Sequence, residues 1–329
     1  MEHILLNFKG ESSDRLDKLL YRLLLELPEF ENVSRSQIQR WIRDGNVTGG
    51  GKLRTRPGEV IKSAMEFAVA PDLAVPREII PYKLPLNIVF EDDYLAVIDK
   101  PAGLSVHPGA GNYTETLVNA LVHHFGENFI LDPANSRPGI VHRLDKDTTG
   151  LVVVGKSTEI VGALSRQFSL RTVQRIYLCL ALVNPKGSGL IESNDHGIID
   201  APISRDLNNR IRMAVLPGGR SARSEFFVRD RFIHAALLEL KLHSGRTHQI
   251  RVHLNHCGSP VIGDPVYGNF DTLPTDLKRA AFSFGRQALH AKLLGFQHPV
   301  TKKSLSFSSD PPHDMQALIG LFSKGRDLE

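Results

Sequence analysis

Charged residues beside an apolar segment are the first candidates for chemistry in this chain. Residues 139–150 read GIVHRLDKDTTG, and the LVVV that follows at 151–154 predicts a buried strand. Polar groups that a rigid sheet presents at a strand end are a common geometry for a catalytic or binding site. The alternative is a surface turn in which Asp145 or Asp147 bonds its own backbone, and the spacing alone favours that alternative.

A second charged segment, HSGRTHQIRVHL, occupies residues 243–254. It predicts a helix over residues 246–257, with Arg246 at its start and Arg251 one turn further in. An arginine keeps its charge and binds a carboxylate or a phosphate through two parallel hydrogen bonds. The alternative is that both arginines are surface charges of the helix.

Four histidines fall within this region, at positions 243, 248, 253 and 256. The region contains no His-Glu-x-x-His motif and no histidine pair spaced by four residues, so the sequence predicts no metal site. A histidine-based metallohydrolase stays open as an alternative that would require bound metal. The chain also lacks a phosphate-binding loop, a dinucleotide glycine motif and a Gly-x-Ser-x-Gly elbow.

The composition bounds the class of protein. The chain has 329 residues, which favours two domains, with 41% hydrophobic and 23% charged residues, which is ordinary for a globular protein. Two cysteines argue against a disulfide scaffold. No segment has the roughly 20 apolar residues that cross a membrane, and the N-terminal segment is acidic where a signal peptide is basic. We therefore expect a soluble cytoplasmic protein without membrane contact.

The elements that must position these residues divide into two parts. Residues 76–87 are rich in proline and predict an extended linker between a domain at 1–75 and a domain at 88–329. In the first domain, helices are predicted at 16–24 and 35–43. In the second domain, strands and helices are mixed. Strands are predicted at 95–99, 151–154, 176–183 and 232–242, and helices at 116–125, 157–170 and 314–322.

Positive charge is concentrated in the first domain. Residues 35–62 contain seven basic and two acidic residues, whereas the whole chain has a net charge of only +4. Such a surface suits a nucleic-acid backbone, and a solvated helix face explains the charge equally well. The residues that could bind RNA here are Arg35, Arg40, Arg43, Lys52 and Arg54.

This first domain resembles an S4 RNA-binding domain. The similarity rests on RLDKLL at 15–20, on SRSQIQRWIRDGNV at 34–47 and on the glycine turn that follows. The triple glycine at 49–51 departs from the more usual Asn-Gly-Lys turn. The resemblance covers about residues 13–65 and implies that this domain binds RNA.

The later segments together resemble the RluA family of pseudouridine synthases. HRLDKDTTG at 142–150 is similar to the family signature, and Tyr177 stands where the family has its active-site tyrosine. GRTHQIRVHL at 245–254 and GDPVYG at 263–268 are similar to its later motif. VHPGAGN at 106–112 and RQALHA at 286–291 are most similar to the RluD-type synthases of large-subunit ribosomal RNA.

The resemblance implies a reaction and roles for five residues. The N1–C1′ bond of a uridine breaks, the uracil turns, and it rejoins the ribose through C5. Asp145 is the ionised carboxylate, which attacks C1′ or C6 or removes the C2′ proton. Arg251 is the basic partner of this carboxylate, with Arg246 as the second candidate. Tyr177 packs on the uracil ring, and Arg143 fills the gap that the flipped uridine leaves in the RNA.

The product is an isomer of the substrate, so the resemblance implies no cofactor, metal or energy source. It also implies an α+β fold: an S4-like domain, and a catalytic domain with a mixed, mainly antiparallel sheet and flanking helices. The expected partner is ribosomal RNA of the large subunit or its precursor. The alternatives are the same reaction on another ribosomal site or a transfer RNA, and an RNA-binding ribosome-assembly factor without catalysis.

Overall fold

The computed structural model divides by its internal contacts into two units, Met1–Arg77 and Glu78–Glu329. The predicted division at residues 75 and 88 stays a prediction. Residue 34 of the S4-like motif, residues 76–78 of the predicted linker and residues 109–111 of VHPGAGN lie outside the described residues. The structure describes residues 4–10, 13–27, 30, 33, 35–70, 79–108, 112–126, 129, 138–206, 209 and 212–324.

The first unit is built on the two predicted helices, both of which are confirmed. Leu16, Leu19, Leu20 and Leu24 recur at helical spacing and are fully buried, so one face of the first helix forms core. The elements are β1 (Ile4–Phe8), β2 (Asp14–Arg15), α1 (Leu16–Leu24), α2 (Arg35–Arg43), β3 (Val47–Gly49), β4 (Lys52–Leu53), β5 (Val60–Ile61) and β6 (Met65–Val69).

A four-stranded antiparallel sheet completes the core of the first unit. Its strand order is β1-β6-β3-β4, and β2 pairs separately with β5. Phe67 of β6 and Trp41 of α2 are almost completely buried and belong to the same apolar cluster as the leucines of α1. The helices and the sheet therefore share one core.

The second unit contains more strand than helix, as predicted. No helix in the described parts of the chain is long and apolar enough to cross a membrane. The elements are β7 (Ile88–Glu91), β8 (Leu95–Lys100), α3 (Leu117–Phe125), β9 (Thr149–Gly155), α4 (Thr158–Ser169), β10 (Gln174–Leu182), α5 (Leu190–Ser193), β11 (His196–Asp200), β12 (Ile203–Arg205), β13 (Met213–Val215), β14 (Arg223–Arg231), β15 (Ala235–Leu242), α6 (Gln249–His256), α7 (Thr275–Phe284), β16 (Leu289–Gln297), β17 (Ser304–Ser308) and α8 (His313–Ser323).

A nine-stranded sheet dominates this unit, in the order β11-β14-β15-β10-β16-β9-β8-β7, with β17 paired to β16. Among the described pairings of this sheet, all are antiparallel except β16 with β9. The expected mixed, mainly antiparallel sheet is therefore confirmed. With its flanking helices, the unit has the α+β architecture that the resemblance implies.

Strand β9 is buried along its whole length because both faces of the sheet are covered. Val152 and Val154 join the larger apolar cluster, which includes α3, whereas Leu151 and Val153 join a second cluster with α4. Successive strand residues point to opposite faces, so one β-branched segment supplies two cores. The strand that follows the segment of Asp145 is therefore packed against apolar residues on both faces.

Two predicted boundaries are wrong. The helix predicted over residues 246–257 begins only at Gln249, because His248 adopts a left-handed conformation with φ of 55°. The strand predicted over residues 232–242 begins at Ala235, because the chain turns there and Phe232 N donates to Ala235 O. Arg246 consequently lies in a loop and not on a helix.

The described part of the predicted linker packs on the second unit. Tyr82 N donates to Asn119 O, and Asn119 Nδ2 donates to Ile80 O, so this extended segment is tied to α3. Ile79 is buried in the larger apolar cluster. Residues 79–82 therefore form part of the packed structure of the second unit.

Candidate active site

A turn before β9 carries Asp145, and a buried lysine holds that turn in place. Lys100, the last residue of β8, is fully buried, and its Nζ donates to the backbone oxygens of Pro101, Leu104 and Lys146. The Lys146 oxygen belongs to the turn itself. The backbone beside Asp145 is therefore fixed to the end of a neighbouring strand.

Arg251 forms the centre of an ion triad with two aspartates. Its Nη1 donates to Asp145 Oδ2 at 2.9 Å, while Nε and Nη2 donate to the two oxygens of Asp264 at 2.6 and 2.9 Å. Asp264 and Arg251 are buried, whereas the Asp145 side chain retains 18% exposure. Burial lowers the pKa of Arg251, but the two carboxylates outweigh it and raise that pKa. The guanidinium charge therefore stabilises an ionised carboxylate that is still open to a ligand.

Hydrogen bonds to the Gln249 side chain connect the loop at residues 243–248 to the start of α6, the helix that carries Arg251. Gln249 Oε1 accepts hydrogen bonds from Ser244 Oγ and from Arg246 N, so the glutamine holds the loop against the start of α6. His248 Nδ1 lies 3.0 Å from Tyr267 Oη, and the Arg251 guanidinium stacks on the Tyr267 ring at 5.2 Å. These contacts leave Arg251 little freedom of direction.

Tyr177 lies in β10 on the same cleft as Asp145. It is 7% exposed, and the pairing of β10 with β16 shifts register between Ile176 and Tyr177. Burial raises the pKa of the Tyr177 hydroxyl; the Asp145 charge adds to this and the Arg175 charge opposes it. The phenol is therefore protonated at neutral pH and available as a hydrogen-bond donor beside the carboxylate.

A cavity of about 540 Å³ joins these groups, which is large enough for a nucleotide. It brings together four of the predicted residues of the second unit, Asp145, Tyr177, Arg251 and Arg246, and it includes Arg143 as well. Arg143 is exposed and also borders a smaller adjoining pocket of about 180 Å³. The structure thus places all five residues on one cleft.

The histidines near the cleft are engaged in structural contacts. His253 is fully buried, with Nδ1 2.9 Å from Ser224 Oγ and Nε2 3.0 Å from Ala201 O. His142 stacks on Phe168, and burial lowers the pKa of His142 to about 3. Among the residues that the structure describes, no group of three or more potential ligands is placed to hold a metal ion.

Lys100 and Asp264 are parts of the site to which the sequence assigned no role. Lys100 was visible only as the polar end of an apolar strand, and Asp264 as one residue of the GDPVYG motif. Burial lowers the pKa of Lys100 to about 7, although Asp147 and Asp145 act to raise it. A lysine that ends an otherwise mainly apolar strand, directly before a proline, is the signal that could have indicated Lys100.

The basic residues predicted to bind RNA in the first unit divide into two groups. Arg35 donates twice to the buried Asp17, and Arg54 donates to Glu59 and to Gly49 O, so both stabilise the unit itself. Burial would raise the pKa of Asp17, but hydrogen bonds from Gln39, Arg35 and Arg15 lower it to about 2. The other three predicted cations are exposed: Arg40, Arg43 and Lys52.

Comparison with protein families gives two matches. Residues 94–256 match the model of RNA pseudouridylate synthases, and residues 14–67 match the model of S4 domains. The first match contains Asp145, Tyr177 and Arg251, and the second contains the five basic residues that are predicted to bind RNA in the first unit. The two matched segments fall within the two structural units.

Several curated proteins with similar sequences carry the same name. The ribosomal large subunit pseudouridine synthase D of Pseudomonas aeruginosa is 41% identical over 318 residues, covering 95% of this chain and 93% of that protein. The protein of the same name from Xanthomonas campestris is 42% identical over 312 residues, covering 93% and 88%. Among solved structures, the human RNA pseudouridylate synthase domain containing 1 superposes with a TM-score of 0.53 at 23% identity, over 73% of this chain and 88% of that one.

Proposed function

The chain belongs to the RNA pseudouridylate synthase family, and we propose that it isomerises uridines of large-subunit ribosomal RNA to pseudouridine, with Asp145 as the reacting carboxylate. The substrate is inferred from the names of relatives whose sequences align with nearly the whole chain. The observation that carries the assignment of Asp145 is its ion pair with the buried Arg251 at 2.9 Å on the edge of the cleft.

The isomerisation needs an ionised carboxylate held beside the uridine. The N1–C1′ bond breaks, a C5–C1′ bond forms, and the proton on C5 leaves while N1 gains one, so atoms and electrons balance within the substrate. Asp145 supplies the carboxylate, as a nucleophile at C1′ or C6 or as the base that takes the C2′ proton. Arg251 stabilises its charge, and Tyr177 lies against the uracil ring.

The target uridine must leave its helix to reach this cleft. Flipping a base out of a stack costs a few kcal/mol, and a planar cation that fills the gap recovers part of it. Arg143 is suited to this role because it is exposed at the mouth of the cleft. The exposed Arg40, Arg43 and Lys52 of the S4 unit add affinity for the RNA backbone.

The test measures pseudouridine in an unmodified large-subunit ribosomal RNA transcript after incubation with purified protein. We expect Asp145→Asn to lower turnover about a thousand-fold or more, since the amide cannot act as nucleophile or base, and to leave RNA affinity within about threefold. Asp93→Asn, an exposed aspartate in the turn between β7 and β8, is the matched control and should keep wild-type turnover.

Turnover by Asp145→Asn equal to that of the wild type would refute the role of this carboxylate. Product on transfer RNA but not on the large-subunit transcript would overturn the substrate. Tight RNA binding without product from the wild-type protein on either RNA would favour a non-catalytic role in ribosome assembly.

A further inference from the structure

Arg175 is a buried cation of the cleft, and no carboxylate among the described residues pairs with it. It lies in β10 two residues before Tyr177 and is 8% exposed. Its Nη2 reaches Leu242 O only at 3.4 Å, and its buried Nε has no hydrogen-bond partner among the described residues. A buried charge is costly unless it is paired, so the free protein leaves this site incomplete.

Arg175 lines the cavity, and its guanidinium lies beside an aromatic ring and a glycine. Its guanidinium carbon lies 5.4 Å from the centre of the Phe168 ring, which covers one side. On another side stands Gly245, where a Cβ would approach Nη1 to 3.1 Å. The charge of Arg175 also lowers the pKa of the Tyr177 hydroxyl against the larger effect of burial, which places it near the proposed position of the base.

Arg171 is a second cation in the lining of the cleft, and its backbone is strained. It follows α4 with φ of 60°, a conformation that costs a residue other than glycine energy. Of the three such residues in the described chain, Arg171 and His248 both line the cleft. Strain of this kind persists where the surrounding structure holds it, and such positions cluster at functional sites.

The excess of positive charge in the lining of the cleft favours an anionic ligand. Among the described residues of the lining, Asp145 is the only carboxylate, and Arg251 pairs with it. No described Asp or Glu pairs with the other arginines of the lining. A neutral base needs no such excess of charge, whereas a phosphodiester accepts the forked hydrogen bonds of a guanidinium. The other arginines of the lining are Arg143, Arg171, Arg175 and Arg246.

We propose that Arg175, with Arg171 at the rim, forms an anion subsite that takes one backbone phosphate of the substrate RNA beside the target uridine. The inference rests on the proposed function, because it takes RNA as the ligand. Arg175 is then a binding residue whose charge is compensated only in the complex with RNA. Strand β10 thus carries both Tyr177, which packs on the uracil, and Arg175, which binds the phosphate.

The first experiment measures binding of the unmodified large-subunit transcript across a range of salt concentrations. Arg175→Met should weaken binding about 10- to 100-fold and reduce the slope of log affinity against log salt by about 0.7 to 0.9, the value for one lost phosphate contact. Arg175→Lys keeps the charge and should retain the wild-type slope with a smaller loss of affinity. Arg279→Met, an exposed arginine of α7 outside the cleft, makes the same change in net charge and should bind like the wild type.

Thermal unfolding distinguishes a binding role from a structural one. Because the free protein buries the Arg175 charge without compensation, Arg175→Met should unfold at the same or a higher temperature while its RNA affinity falls. A lower unfolding temperature with unchanged affinity would overturn the proposal. Affinity equal to that of Arg279→Met, or a loss of affinity with an unchanged salt slope, would overturn it as well.

A second experiment locates the phosphate. A short RNA around the uridine that the wild type modifies is synthesised with one uncharged methylphosphonate linkage at a time. One linkage beside the target should weaken wild-type binding about as much as Arg175→Met does, with no further loss in the variant, and equal sensitivity of both proteins would refute the subsite. If the wild type forms no product, the proposed function has failed, and the salt slopes still decide whether Arg175 contacts a phosphate.

Discussion

At the scale of the residue, two buried basic side chains fix the position of one partly exposed carboxylate. Asp264 occupies Nε and Nη2 of Arg251, so the remaining Nη1 is fixed in direction, and Asp145 accepts from it. Lys100 holds the backbone on the other side through Lys146 O. Arg251 and Asp145 are 106 residues apart in sequence, so their contact depends on the whole sheet.

The pH dependence of stability should report the state of Lys100. Burial lowers its pKa from 10.5 to about 7 despite Asp147 and Asp145, so between these values the folded protein binds fewer protons than the unfolded chain. Its contribution to the free energy of unfolding therefore rises with pH from about 7 towards 10.5 and is smallest below pH 7. Lys100→Met lacks this group, so the free energy of unfolding of the wild type should rise relative to that of the variant between about pH 7 and 10.5.

Chemical denaturation at several pH values measures this difference. Circular dichroism follows the whole chain, while fluorescence of Trp41, the single tryptophan, reports unfolding of the first unit alone. Parallel pH profiles of wild type and Lys100→Met would contradict the assignment of a lowered pKa to Lys100.

At the scale of the element, the parallel contact between β9 and β16 positions the turn that carries Asp145. His290 pairs with Thr149 and Ala291 with Gly150, directly after the turn that carries Asp145. Gly150 has φ of 107°, and a Cβ there would lie 2.4 Å from Ala291 O. Only glycine allows β16 to approach this closely without displacement of the backbone.

Substitution of two glycines separates this constraint from general effects. Gly150→Ala should destabilise the protein by about 3 kcal/mol and lower turnover, because the strand must shift and carries the loop of Asp145 with it. Gly162 lies inside α4, where a Cβ would meet nothing within 4 Å. Gly162→Ala should therefore stabilise the protein by about 0.5 to 1 kcal/mol and leave turnover unchanged. Denaturant unfolding and turnover assays measure both, and equal effects of the two substitutions would contradict the close approach.

At the scale of the whole molecule, each unit has its own apolar core. The leucines of α1 pack with Trp41 and Phe67, whereas the larger clusters of the second unit contain no residue from the first. A division of this kind allows RNA binding and chemistry to be carried by different parts of one chain.

Removal of residues 1–77 should therefore weaken RNA binding while the second unit still folds. We expect a lower affinity for the large-subunit transcript and a shallower salt dependence, because phosphate contacts of the first unit are lost. Circular dichroism checks folding, and filter binding across salt concentrations measures affinity. A triple substitution of Arg40, Arg43 and Lys52 by alanine in the full chain should reproduce part of the loss without any deletion. Affinity equal to that of the intact protein at physiological salt would show that the first unit does not serve RNA binding.

Much of the local structure could be predicted from the sequence because its causes are local. Helix α1 follows from leucine spacing, and α4 lies within the predicted residues 157–170, with Ser157 accepting a hydrogen bond from Ile160 N at its start. The β-branched residues 151–154 form a strand buried on both faces. The motifs also indicated which side chains should meet, and Asp145, Tyr177 and Arg251 do line one cleft, although their catalytic roles stay predictions.

Only the tertiary structure decided how those side chains are held. The start of α6 could not be predicted, because the left-handed conformation of His248 depends on its place against Tyr267. Asp264 and Lys100 act through contacts with distant segments, and their burial is invisible in a local pattern. The uncompensated charge of Arg175 is likewise a property of its surroundings. The sequence shows which residues are charged, but only the folded structure shows which of them are buried without a partner.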